Sequence, residues 1–147
     1  MLRRSTLASV FLATLFSFSG CQTYTQGLEQ SLARADETVA LSALRAIAVA
    51  QRTYSLTNSG EYGTLKQLSD GGFLDARYAG DKPAKDYVIT CSVAAKAPGA
   101  PEGSYSCNAD PEKAGERPGR HLYIDSSSAG IRYNDTQPAT AADKPMQ

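Results

Sequence analysis

The sequence has few of the side chains on which catalysis and metal binding depend. Its 147 residues include no Trp, a single His and only three Cys. It contains no phosphate-binding loop and no dinucleotide-binding glycine motif. Acidic and basic side chains number 15 each, so the net charge is zero and gives no electrostatic reason to expect a nucleic-acid partner. The length suits one domain rather than two.

The first twenty residues have the pattern of an export signal. A basic pair, Arg3 and Arg4, precedes an almost purely apolar run over residues 7–18, and two small residues end the segment. The apolar run is shorter than the roughly 20 residues that cross a bilayer. We therefore predict a signal peptide over residues 1–20, with a retained membrane anchor or a buried helix as the alternatives.

A cysteine follows this segment and makes the prediction more specific. The stretch FSGC, residues 18–21, resembles the lipobox of bacterial lipoproteins, in which a small residue precedes an invariant cysteine. The resemblance implies diacylglycerol on Cys21, cleavage before it and acylation of the new amino group. Several acyl chains of the palmitate type anchor a protein stably in a membrane. The alternative is a soluble secreted protein with a free Cys21.

The residue after Cys21 bears on localisation. Gln22 stands where an Asp would imply retention at the inner membrane. The resemblance therefore implies a protein of the cell envelope, anchored by its lipid in the outer membrane and facing the periplasm or the cell surface.

The cysteine count agrees with this interpretation. Three cysteines in an exported chain leave one unpaired, and if Cys21 carries lipid, Cys91 and Cys107 are left to pair with each other. The chain has no Cys-x-x-Cys motif and no nearby histidine, which disfavours a redox or metal-binding pair. We expect a structural disulfide.

A long helix is predicted from about Leu28 to the Asn58-Ser59-Gly60 stop signal, because this stretch lacks Pro and is rich in helix formers. Its first part, residues 21–34, is polar and is interpreted as a spacer between the membrane and the domain. Its second part carries an apolar face. That face comprises Ala40, Leu41, Leu44, Ile47, Ala48 and Tyr54.

The remaining chain changes to a strand pattern after one short helical turn around Leu65 and Leu68. Strands are predicted over residues 86–95 and 103–109, followed by a hairpin. The arms of that hairpin are residues 121–125 and 130–134, and its loop is the segment SSSA. The helix can bury its apolar face only against this sheet, so the prediction is an α+β roll: one long N-terminal helix packed on a small antiparallel sheet of three to four strands. Residues 136–147 are predicted to be a disordered tail.

This order resembles the type IV pilin and type II secretion pseudopilin superfamily over residues 35–135. The phrases that carry the resemblance are ALSALRAIAVAQRTYSLTNSGEYGTLKQLS on the helix and GRHLYIDSSSAGIRYND at the hairpin. The chain departs from pilins in lacking their long apolar stem, and a lipobox stands in its place. The resemblance implies a lipid-anchored, non-enzymatic pilin-like head, an interaction module or accessory of a pilus or secretion machinery. The alternatives are a divergent minor pseudopilin within a filament and a small periplasmic ligand-binding protein or enzyme.

Candidate chemistry is sparse. His121, the single histidine, could act as a base, with Glu116 and Asp125 as the nearest acids in sequence, but a strand-end histidine is the favoured interpretation. The serines at 126–128 lack the glycine-flanked setting of a nucleophile and are interpreted as turn residues.

Acidic side chains in the C-terminal loops could in principle bind calcium. They are Asp110, Glu112, Glu116 and Asp125. Their spacing matches no known calcium loop and basic residues interleave them, so we expect solvated loop charges, with no metal and no cofactor.

Overall fold

The structure is a computed structural model that describes residues 20–78, 80, 86–115 and 119–146, with the backbone alone at residues 20–24 and 129. Almost all of the predicted signal peptide, residues 1–19, lies outside the described residues, so the export signal stays a prediction.

One long helix, α1, runs from Gly20 to Thr57 and ends at the predicted stop signal. Its described side chains before Ala33 are all exposed, and Ala33 is the first that is buried. From Ala40 onwards every third or fourth side chain enters the core, as the apolar spacing predicts. Each of the six residues predicted for the apolar face belongs to the core cluster or packs against it. Ala43, Ala50 and Gln51 are buried as well, so the buried face is wider than the sequence indicated.

A short helix, α2 (Leu65–Asp70), follows at the predicted place and begins with a capping box. The Thr64 side chain accepts from the backbone of Gln67, whose own side chain accepts from the Thr64 backbone. One turn of 3-10 helix, Ala76–Tyr78, comes next. Leu68 is fully buried in the core cluster and attaches α2 to it.

The second half of the chain forms an antiparallel meander. Its strands, in chain order and in spatial order, are β1 (Tyr87–Ala94), β2 (Ser104–Pro111), β3 (His121–Asp125), β4 (Ser128–Asn134) and β5 (Lys144–Pro145). The fold class is therefore α+β, with one long helix on an antiparallel sheet. The expectation of three to four strands was wrong by one, because two residues cannot carry a recognisable strand pattern.

Alternation along each strand separates the two faces of the sheet. Cys107 and Ala109 of β2 lie in register with Ile124 and Leu122 of β3, and all four pack in the core with α1. The intervening residues of β3 are His121, Tyr123 and Asp125, and they lie on the opposite face. We call that opposite face the outer face of the sheet.

The Arg120 side chain links α1 to the sheet through a hydrogen bond to a carboxylate and a contact with an aromatic ring. Arg120, just before β3, donates from Nε to Oε1 of Glu37 on α1 at 3.0 Å. Its guanidinium also lies 4.7 Å from the ring centre of Tyr133 on β4. The hydrogen bond to Glu37 raises the pKa of Arg120, so this cation is fixed at every physiological pH.

The prediction of a disordered C-terminal tail was wrong for the described residues 136–146. Ala139 is only 2% exposed, and its carbonyl accepts from Nδ2 of Asn108 at 2.8 Å. Asp143 accepts from Nδ2 of Asn134 and, through its carbonyl, from Arg132. The tail thus crosses the outer face from β2 towards β4 and adds β5 at the sheet edge. Its polar composition suggested disorder, but these contacts are long-range and leave no local pattern in the sequence.

Candidate functional site

The expected disulfide is present. Cys91 and Cys107 face each other in the register of β1 and β2, with 2.00 Å between the sulfurs. The bridge therefore fixes strand pairing within the sheet, and half-buried Cys91 and buried Cys107 lie against the core. Cys21 lies in the first turn of α1, and its side chain is outside the described part of the chain.

His121 lies on the outer face at the start of β3 and is only 5% exposed. Its Nδ1 lies 2.6 Å from Oδ1 of Asp110, a cross-strand neighbour on β2. Of the two acids that the sequence nominated, Asp125 is engaged at the β3–β4 turn, and Glu116 lies outside the described residues. The pair lies on the face that the tail crosses, which favours a structural contact over an accessible base.

The described carboxylates among those considered for calcium do not converge. Asp110 pairs with His121, whereas Asp125 caps the β3–β4 turn by accepting from the backbone amides of Ser127 and Ser128. Burial tends to raise the pKa of Asp125, but hydrogen bonds from Ser127, Tyr123 and the turn amides outweigh it and lower that pKa. Within the described ranges no group of three or more His, Cys, Asp or Glu side chains is placed to hold a metal ion.

The serines at 126–128 form the hairpin turn, as their composition predicts. The described arms differ slightly from the prediction, since β4 begins at Ser128 and the loop is only two residues long. The Ser127 hydroxyl donates to Asp125 at 2.7 Å, and the Ser128 hydroxyl accepts from the Gly130 amide. These hydroxyls serve the turn, and the carboxylate that Ser127 contacts, Asp125, is a weak base because its pKa is lowered.

An open groove lies between α1 and the β3–β4 hairpin turn. One wall carries Arg45, Val49 and Arg52 of α1, and the other carries Tyr62, Tyr105 and the turn 125–128. Residues seven apart on a helix lie on nearly the same side, so both arginines face the groove. The rings of Tyr62 and Tyr105 pack with their centres 5.0 Å apart within that second wall. We call this feature the arginine groove.

The arginine groove carries a net positive charge that favours an anionic ligand, because Arg45 and Arg52 outnumber the one ionised acid of its lining, Asp125. Neither Arg45 nor Arg52 forms an ion pair with any described acid. Burial raises the pKa of Tyr105 to about 12. Burial, followed by the hydrogen bond to Glu102, also raises the pKa of Tyr62. The phenols therefore stay neutral, and the two guanidinium groups can bind a carboxylate by charge-assisted hydrogen bonds.

Sequence reasoning missed this groove for an identifiable reason. The spacing of Arg45 and Arg52 places them on one side of the helix, and that signal was available. Nothing in the sequence brings Tyr62 and Tyr105 beside them, because that contact depends on how the helix lies across the sheet.

No protein-family model, no curated protein and no solved structure matches this chain. In the part of the chain that the structure describes, no helix is both long enough and apolar enough to cross a membrane.

Proposed function

We propose that this chain is a lipid-anchored, non-enzymatic envelope protein whose pilin-like head is an interaction module or accessory of a type IV pilus or type II secretion machinery. The observation that carries the proposal is the place of Cys21 on α1. Cys21 lies in the first turn, and the first described side chain that is buried is Ala33. At 1.5 Å per residue, about 18 Å of helix separates them. Lipid on Cys21 would hold the head at that distance from an outer-membrane surface.

The arrangement of helix and hairpin supports the pilin-like part of the proposal. A single long helix lies on an antiparallel sheet, and the last long strands form a tight hairpin. The phrase that resembles pilins brackets the turn of that hairpin. It consists of Tyr123, Asp125, Gly130, Ile131 and Arg132. The stem residues 21–34 are polar, which favours a lipid-anchored accessory over a subunit buried in a filament core.

The arginine groove supplies the binding surface for this role. Arg45 and Arg52 are exposed cations without an acidic partner among the described residues, and Val49 between them is 67% exposed. A partner segment with acidic and apolar side chains would satisfy all three at once. Arginine is favoured in interfaces because its planar group binds carboxylates through two parallel hydrogen bonds.

The anchor is tested by labelling cells with a palmitate analogue. We expect the label on the wild-type chain and its complete loss in Cys21→Ser. The matched control is Cys91→Ser/Cys107→Ser, which removes the other two cysteines and should keep the label. Label retained in Cys21→Ser would refute lipidation at this residue.

The partner class is tested by crosslinking in intact envelopes and identifying the proteins joined to the chain. We expect pilus or type II secretion components to be enriched with wild type and lost with Arg45→Glu/Arg52→Glu. Arg34→Glu is the control, because Arg34 is an exposed arginine of the same helix outside the groove. Absence of both machineries from the wild-type sample would refute the accessory role. Binding of free carboxylates, if also lost in the double variant, would favour the ligand-binding alternative.

A further inference from the structure

The hydroxyl of Tyr105 is an unused hydrogen-bond donor at the arginine groove. The Tyr105 side chain is only 8% exposed, and its ring packs on that of Tyr62. No described residue forms a hydrogen bond with the Tyr105 hydroxyl, whereas the Tyr62 hydroxyl donates to Oε2 of Glu102 at 3.1 Å. A buried phenol normally has a partner, because a donor removed from water without one costs free energy. The Tyr105 donor is therefore available to a ligand.

The register of β2 directs this hydroxyl towards the groove. Tyr105 precedes Cys107 by two residues, so its side chain leaves the sheet on the helix side, where it belongs to the core cluster. Every fully buried polar side-chain atom in the described part of the chain has a hydrogen-bond partner, so the unpartnered Tyr105 hydroxyl is not closed off from solvent. The opening that Tyr105 lines on this side of the sheet is the arginine groove.

The charges of the groove favour a ligand group with a single negative charge. Two arginines and one ionised acid, Asp125, leave the lining with one positive charge in excess. One carboxylate neutralises that excess. A phosphate group carries a charge of about −1.5 to −2 and would make the site negative. Glu102, which accepts from Tyr62 beside the lining, would add to the repulsion of a phosphate.

We propose that the arginine groove binds one acidic side chain of a partner protein, a glutamate or aspartate with apolar neighbours, and that the Tyr105 hydroxyl donates to the carboxylate that Arg45 and Arg52 hold. The two arginines lie one turn on either side of Val49, about 10 Å apart along the helix. Val49 is 67% exposed and offers a contact to the apolar neighbours. This inference rests on the accessory function proposed above and names the chemical group that the groove recognises.

The donors on the lining discriminate between a carboxylate and its neutral amide. Guanidinium groups only donate, and Tyr105 keeps its proton because burial raises its pKa to about 12. A carboxylate offers two acceptor oxygens and a negative charge. A carboxamide offers one oxygen and turns an NH₂ group towards donors that it cannot satisfy. The groove should therefore distinguish glutamate from glutamine.

Binding of short peptides to the full-length chain in detergent micelles tests the proposal. Each probe is acetylated and amidated at its ends and carries one glutamate, glutamine or phosphoserine between two leucines. NMR titration of the arginine Nε–H signals measures the affinities. We expect the glutamate peptide to bind, and the glutamine and phosphoserine peptides to bind at least about tenfold more weakly.

Two phenylalanine variants isolate the Tyr105 hydroxyl from its ring. Tyr105→Phe should weaken binding of the glutamate peptide about tenfold, because a hydrogen bond to a charged acceptor is lost, and should keep the melting temperature near neutral pH. The matched control is Tyr62→Phe, which removes a hydroxyl whose proton is already donated to Glu102. It should leave the affinity unchanged.

The proposal would be overturned by an absence of binding of the glutamate peptide, by wild-type affinity in Tyr105→Phe, or by equal losses in the two phenylalanine variants. Tighter binding of the glutamine or phosphoserine peptide would overturn it as well. Equal affinity for free acetate would indicate a site for small carboxylates and would overturn the assignment to a partner's side chain.

Crosslinking in intact envelopes keeps this inference separate from the accessory role. Peptide binding that depends on Tyr105, without pilus or secretion components among the crosslinked proteins, would refute the accessory role alone. Those components crosslinked equally to wild type and Tyr105→Phe, together with equal peptide affinities, would refute this inference alone.

Discussion

At the scale of single residues, Gln51 connects the long helix to the loop that follows it. Its side chain is polar but has no exposed surface, whereas most of the other buried side chains of α1 are apolar. Its amide nitrogen donates to the carbonyl of Gly63 at 2.6 Å, and its oxygen accepts from the amide of Gly63 at 3.0 Å. Both backbone polar groups of one buried residue, Gly63, are thus satisfied by one side chain, which fixes how the chain returns towards α2.

Gln51→Leu should destabilise the protein by roughly 2–4 kcal/mol, because it keeps the volume but leaves two backbone groups of Gly63 without partners. Urea unfolding measures the change. The neighbouring exposed substitution Arg52→Leu is the control and should stay within about 0.5 kcal/mol of wild type. Equal losses for the two variants would contradict the role given to Gln51.

Tyr105 gives a prediction in alkaline solution. Burial raises its pKa from 10.0 to about 12 in the folded chain. The folded state therefore holds the phenolic proton more tightly than the unfolded state does. Its contribution to stability is complete below pH 10 and is lost as the pH rises from 10 towards 12.

Melting temperatures measured across that pH range test this expectation. Tyr105→Phe keeps the ring and removes the titrating group, so it should match wild type near neutral pH and lose less stability above pH 10. Parallel curves for the two proteins at every pH would show that Tyr105 does not titrate as described.

At the scale of elements, β1 depends on β2. It lies at the edge of the sheet and pairs with β2 alone, through eight aligned residue pairs. Tyr87 and Ile89 attach it to the core, whereas from Thr90 onwards its side chains are exposed apart from half-buried Cys91. The disulfide joins β1 to β2 where this change occurs, so it holds the part of the edge strand that packing does not hold.

Reduction of the Cys91–Cys107 bridge should cost about 3 kcal/mol, because its sulfurs close a loop with a sequence separation of 16 residues. Unfolding with and without a reductant measures the cost. Cys91→Ala/Cys107→Ala should match the reduced protein and should not respond to reductant. A stability that reduction leaves unchanged would contradict this prediction.

At the scale of the whole molecule, helix, sheet and tail form three layers. Residues 136–146 cover part of the outer face and pair with β4, so the face opposite the helix is not simply open to solvent. A covered sheet edge is also protected from pairing with other chains.

Deletion of residues 136–147 should lower the free energy of unfolding by roughly 2–4 kcal/mol, since it removes the Ala139 burial and several hydrogen bonds worth about 1 kcal/mol each. It should also speed hydrogen exchange in β3 and β4. A chain ending at Met146 is the control and should behave as wild type. Unchanged stability and exchange in the long deletion would mean that the tail does not dock.

The local chemistry of the sequence was enough to predict much of this fold. The helix stop at Asn58-Ser59-Gly60, the strand after residue 86 and the hairpin at 121–134 each follow from propensity, periodicity or turn residues. Cysteine counting predicted the Cys91–Cys107 pairing. Only one wall of the arginine groove could be predicted from the sequence. The helix spacing places Arg45 and Arg52 on the same side of α1, but it cannot place Tyr105 of β2 beside them.

The sequence by itself determined the type and order of the elements, because these depend on interactions between residues close together in the chain. The tertiary structure alone decided the rest: that Asp110, rather than Asp125, lies against His121; that a polar tail docks on the outer face; and that apolar side chains of α1 stay exposed. These features arise from contacts between distant residues, whose free energies depend on how helix and sheet pack.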